Sequence, residues 1–97
     1  MNIPEIKSIP DYAFDALRDE IRRFQVNIPQ ESEIGIIANG GGTMIHIESF
    51  SMRGQMIVFD GVDADGRTAR LIQHYTQVNV QLVAVQKLQE QPRRIGF

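Results

Sequence analysis

The chain has no cysteine and no tryptophan, only two histidines, few aromatic residues and no apolar run approaching eighteen residues. Without cysteine there are no disulfides, thiolate metal sites or cysteine nucleophiles, and with two histidines a metal centre would need mainly carboxylate ligands. Neither catalytic residues nor a cofactor is therefore expected. Without a long apolar run no membrane span is expected. Met1 to Pro10 lacks a basic start followed by an apolar stretch, so no signal peptide is expected and the cytoplasm is the expected address. What is present, 42% apolar and 23% charged residues in 97, is the balance of one globular domain spanning 1–97 and rules out disordered or collagen-like chains.

The net charge of −2 hides an asymmetry. Residues 1–33 carry seven acids against four bases, residues 34–66 four acids against one, and in 67–97 Glu90 alone opposes Arg67, Arg70, Lys87, Arg93 and Arg94. A net positive charge confined to the last third suits a dipolar molecule or a local anion site rather than a polyanion-wide face, since dedicated nucleic-acid binders usually carry a basic domain charge. Solvation of strand edges and a tail is the plainer use of the same residues.

Phe14, Leu17, Ile21, Phe24 and Ile28 recur at spacings of three and four, which predicts one amphipathic helix over about 9–27. Ser8 and Asp11 form a capping-box pattern with Pro10 in the first turn, and Pro29 sets the far limit. After Gln30 the pattern changes to five short β-rich runs, near 33–38, 43–50, 55–59, 67–75 and 78–86, divided by glycine-bearing turns. Ile57-Val58-Phe59 is apolar on both faces, as an interior strand is. Residues 78–86 alternate with period two and are rich in β-branched residues, which favours a strand over a second helix. Residues 87–97 read as a polar tail. The fold class is thus α+β: an N-terminal helix packed on a twisted five-stranded antiparallel sheet, about 33–86, in small-barrel (Sm/SH3-like) style.

Two loops imitate ligand sites. Asn39-Gly40-Gly41-Gly42 lacks the Lys-Ser/Thr pair and following helix of a phosphate-binding loop. Asp60, Asp63 and Asp65 before Gly66 suggest calcium, yet with Gly66 at the sixth position of an EF-hand loop Gly61 and Ile72 stand where Asp and Glu are required. Both read as hairpin turns. His46, His74 and Glu48 would make a proton-transfer or metal-binding trio if their strands bring them together, the basis of a small hydrolase or metal enzyme. The structural alternative is a pair of hydrogen-bonded strand histidines. Gln73-His74-Tyr75-Thr76-Gln77 gathers amide, imidazole, phenol and hydroxyl groups between two apolar strands. It serves either to satisfy backbone groups at a corner of the sheet or as a ligand or subunit contact, with His74 and Tyr75 stacking a base and Gln73 and Gln77 reading its edges.

The strings Leu71-Ile72-Gln73-His74-Tyr75-Thr76-Gln77-Val78-Asn79, Leu82-Val83-Ala84-Val85 and Arg93-Arg94-Ile95-Gly96-Phe97 resemble a small bacterial family of unknown function, which implies a shared fold and no activity. In architecture the chain is similar to the Sm-like bacterial RNA chaperone rings. Ile47-Glu48-Ser49-Phe50 matches part of their second strand, and Gln73-His74 falls where those proteins have a Lys-His pair that contacts RNA. The lysine is absent here, the spacing between the stretches is longer, the usual glycine of the second strand is missing and the net charge is negative. That resemblance implies a ring built by pairing the fourth and fifth strands of neighbours. The leading functional expectation is a non-enzymatic homo-oligomeric binding module of unknown ligand, acting through Gln73–Gln77 and the basic residues Arg70, Arg93 and Arg94. The alternative is an Sm-like ring binding RNA or nucleotide, with Arg70, Arg93 or Arg94 on phosphate; the His46/His74/Glu48 enzyme is third. The expected partners are other copies of the chain and RNA or nucleotide, with no membrane.

Overall fold

A computed structural model describes residues 7–86; the tail expected over 87–97, with Arg93 and Arg94, lies outside the described residues. Helix α1 (Ile9–Asn27) begins where the capping pattern places it. The Ser8 N–H donates to Asp11 Oδ2 at 2.9 Å, and the Asp11 N–H donates back to Ser8 Oγ at 3.3 Å. These two bonds satisfy donors that the first turn leaves unpaired, and the Ser8 N–H, with the Ser8 hydroxyl donating to the same Oδ2 at 2.8 Å, holds the Asp11 carboxyl below its ordinary pKa.

Five strands follow: β1 (Ser32–Gly40), β2 (Thr43–Arg53), β3 (Met56–Asp63), β4 (Thr68–His74) and β5 (Val80–Gln86), with a 3-10 turn at Tyr75–Gln77 before the last. They form one antiparallel sheet in the order β4-β3-β2-β1-β5. α1 lies on one face of it, so the α+β class with a helix on a five-stranded antiparallel sheet holds. Ile57 and Phe59 of β3 join Ile36, Ala38, Ile45 and Ile47 in the core, and Ile21 is the helix residue most deeply set among them. Phe14 meets Phe50 edge-on at 5.3 Å between ring centroids, and Phe50 in turn lies 6.1 Å from Phe59, so an aromatic row ties helix to sheet. Each such side chain, once fully buried, contributes roughly 1.5–3 kcal/mol.

Three strands run further than the sequence suggests, the first being β1, which reaches Gly40 beyond its expected end at 38. β2 continues through Met52 and Arg53, so the turn falls on Gly54-Gln55, where Gly54 takes a φ of +58° that favours glycine. β3 continues through Asp60-Gly61-Val62-Asp63, a stretch with the composition of a turn. Pairing explains it: Asp60 stands opposite Arg70, and Gly61 admits the β2 backbone so closely that a Cβ there would meet the His46 carbonyl oxygen at 1.8 Å. Beside this close approach the β2–β3 register shifts between Ile47 and Ser49, leaving Glu48 at a bulge, a device that bends and twists a strand. Gly35 likewise admits Val83, whose Cγ2 would lie 2.9 Å from an added Cβ.

Candidate functional site

Residues 73–77 form the corner between β4 and β5, and most of their polar groups are used internally. Gln73 is half-buried and sends Nε2 across to the Asn39 carbonyl at 2.8 Å, linking the end of β4 to the end of β1; its Oε1 is buried without a partner among the described residues. The Thr76 N–H donates to His74 Nδ1 at 3.3 Å, which leaves the ring proton on Nε2 to be donated to Gln55 Oε1 at 2.8 Å. His74 therefore caps the 3-10 turn through Nδ1. Thr76 Oγ1 lies 2.8 Å from the same Nδ1. Tyr75 packs against the core and its N–H reaches the Gln55 carbonyl at 2.9 Å, while its ring sits 4.6 Å from that of His74. Thr76 and Gln77 are exposed. The corner is thus a braced turn whose outer side, Thr76 and Gln77 with one side of the His74–Tyr75 pair, meets solvent.

Arg70 already has a partner. Its Nε lies 2.6 Å from Asp60 Oδ1 and its Nη2 3.3 Å from Oδ2, a two-pronged pair across adjacent strands that raises the Arg70 pKa through the hydrogen bond and the opposite charge. Arg67 is tied to Asp63, whose carboxylate also accepts from the Arg67 and Asp65 N–H groups; these bonds, the Arg67 N–H first, lower its pKa. Asp63 therefore satisfies the amides of its own loop, as the hairpin-turn reading has it.

The histidines are not brought together. His46 stands opposite Val62 and His74 opposite Met56, six residues apart on β3, which is about 20 Å of strand. Glu48, at the bulge, is exposed like His46. No group of three or more metal-binding side chains occurs among the described residues, and no helix there is long and apolar enough to cross a membrane.

A feature that sequence reasoning missed lies elsewhere, in a groove of about 660 Å³ between α1 and the second half of β2. Its helix wall carries Phe14, Arg18, Ile21 and Arg22, and its strand wall runs from Ser49 to Met52. The apolar helix stripe was legible; the open strand beside it depends on where β1 leaves β2. No protein-family model, curated protein or solved structure matches the chain.

Proposed function

We propose that this chain is a non-enzymatic homo-oligomeric interaction module whose copies join through the outer strands of their sheets. The supporting observation is the strand order, in which β4 and β5 are the two ends and each keeps an edge without a strand partner among the described residues. Each also exposes an aliphatic side chain, Ile72 at 58% on β4 and Val85 at 39% on β5. Unpaired edges of this kind recruit other strands. Pairing β4 of one copy with β5 of the next is a heterologous contact, which closes into a ring when the rotation between copies allows. A small-barrel curvature belongs to the same reading, supported by the bulge at Glu48 and by the Gln73 bridge from β4 to β1. Sedimentation of the full chain tests it: the expected mass is a multiple of 11.0 kDa, and Ile72→Lys, which places a charge on the β4 edge, yields a folded 11.0 kDa species. Wild-type protein that sediments as a monomer at high micromolar concentration defeats the proposal.

The second reading, an Sm-like ring binding RNA or nucleotide, draws support from the His74–Tyr75 ring pair at the exposed corner. Stacking on such rings tolerates any base, and phosphate contacts make retention fall steeply with salt. Oligouridylate retained at 50 mM salt and released by 300 mM, roughly the range over which a few phosphate contacts are lost, supports this reading, and no retention at low salt removes it.

A further inference from the structure

β2 has unlike halves. From Thr43 to His46 it pairs with β1, but beyond Ile47 it pairs with β3 alone, because β1 continues beside β5. In an antiparallel ladder every second residue turns its N–H and C=O away from the partner strand. Ser49 to Met52 therefore offers main-chain donors and acceptors on its other side, and no further backbone partner for them occurs among the described residues. Successive side chains of a strand point to opposite faces, so four consecutive residues share one groove only along the strand's edge. Their common lining of the groove under α1 identifies the groove with that free edge.

The opposite wall is basic over an apolar floor. Lys7, Arg23, Arg67 and Arg70 are all paired with carboxylates, whereas Arg18 and Arg22 have no carboxylate within ion-pair distance among the described residues. Arg18 lies over the Phe14 ring at 5.9 Å, which holds its guanidinium at the groove. Arg18 and Arg22 are one helical turn apart, about 6 Å along the axis. Same-side residues of an extended strand repeat at about 6.7 Å. Carboxylates at alternate positions of a strand laid in the groove thus meet both guanidinium groups.

We infer that the groove between α1 and Ser49–Met52 binds an extended acidic peptide, which adds as a strand to the free edge of β2 and sets alternate carboxylates on Arg18 and Arg22. Main-chain hydrogen bonds supply the affinity of such an added strand and side-chain contacts its selectivity. The inference is independent of oligomerisation through β4 and β5.

The test uses the full chain and the peptide acetyl-Glu-Val-Glu-Val-Glu-amide, followed through the backbone amide resonances. Saturable shifts centred on Ser49 to Met52 are expected. N-methylation of alternate peptide nitrogens, which removes donors without altering charge, should weaken binding at least tenfold. Arg18→Gln with Arg22→Gln should also weaken it at least tenfold, while a lysine-for-glutamate peptide should leave the same amides unmoved. Both arginines are exposed, so the variant keeps its fold, and each single substitution serves as a check. The inference is overturned if the peptide fails to shift these amides at millimolar concentration, if the N-methylated peptide binds equally well, or if an oligonucleotide but not the peptide occupies Arg18 and Arg22.

Discussion

A methyl group at position 61 would meet the His46 carbonyl oxygen at 1.8 Å and the His46 carbonyl carbon at 2.8 Å, so Gly61→Ala tests the β2–β3 register directly. Overfilling a core usually costs about 1–3 kcal/mol when side chains can turn aside. Here the obstacle is backbone fixed in a ladder, and relief requires the two strands to part beside the bulge, with loss of neighbouring hydrogen bonds at about 1 kcal/mol each. The expected loss therefore exceeds about 3 kcal/mol. In a chain of this size each kcal/mol moves Tm by about 4–8 °C, so the midpoint should fall by more than about 12 °C. Two controls separate this from the general effect of replacing glycine. Gly35→Ala meets only the Val83 Cγ2 at 2.9 Å, the end of a side chain that can rotate, and should cost about 1 kcal/mol. Gly41→Ala meets nothing within 4 Å but must adopt a φ of +60°, again about 1 kcal/mol. Thermal and urea unfolding provide the comparison. If Gly61→Ala melts within about 4 °C of wild type, or no lower than the two controls, the register assigned between Ile47 and Ser49 is wrong.

Gln73→Glu should place a carboxylate where an amide now donates to the Asn39 carbonyl, costing more than about 2 kcal/mol at pH 7. Because burial raises the introduced group's pKa, the loss should shrink as pH falls and the acid is protonated, seen in urea midpoints at pH 7 and pH 4. Ser8→Ala removes the helix cap and should cost about 1 kcal/mol, measured by urea unfolding. In wild-type protein the lowered pKa values of Asp11 and Asp63 contribute stability that is present above the unfolded value of 3.8 and is lost as pH drops below it through the folded values. Asp63→Asn should accordingly flatten the acid limb of the stability profile, and an unchanged limb would contradict the role given to that carboxylate.

The helix was fully legible because its signals are local: a cap at Ser8, Pro10 behind it, an apolar stripe and Pro29 beyond. All five strands were legible as elements, yet β1, β2 and β3 were cut short. Asp60-Gly61 has turn chemistry, and only the arrival of Arg70 on one side and the His46 backbone on the other makes it strand. Tertiary pairing overrode local preference. His46 and His74 look like partners while the register is unknown, since alternation fixes which face a side chain occupies and says nothing of how far along the neighbour it lies. The corner at 73–77 was located correctly as a polar break between strands. That Gln73 and His74 spend their groups on Asn39 and Gln55 follows from contacts between residues far apart in the chain. The groove beside Ser49–Met52 was invisible for the same reason, as its free edge exists because β1 pairs with β2 only from Ile37 to Gly40, while Ser32 to Ile36 pair with β5 alone.

Amide hydrogen exchange read residue by residue on β4 and β5 probes most directly whether the two outer strands join neighbouring copies. At high micromolar concentration the outward N–H groups of Thr68–His74 and Val80–Gln86 should exchange slowly, and they should lose that protection on dilution and in Ile72→Lys while the amides of β3 stay protected. Rapid exchange at both outer edges at every concentration, with β3 protected throughout, would contradict the account.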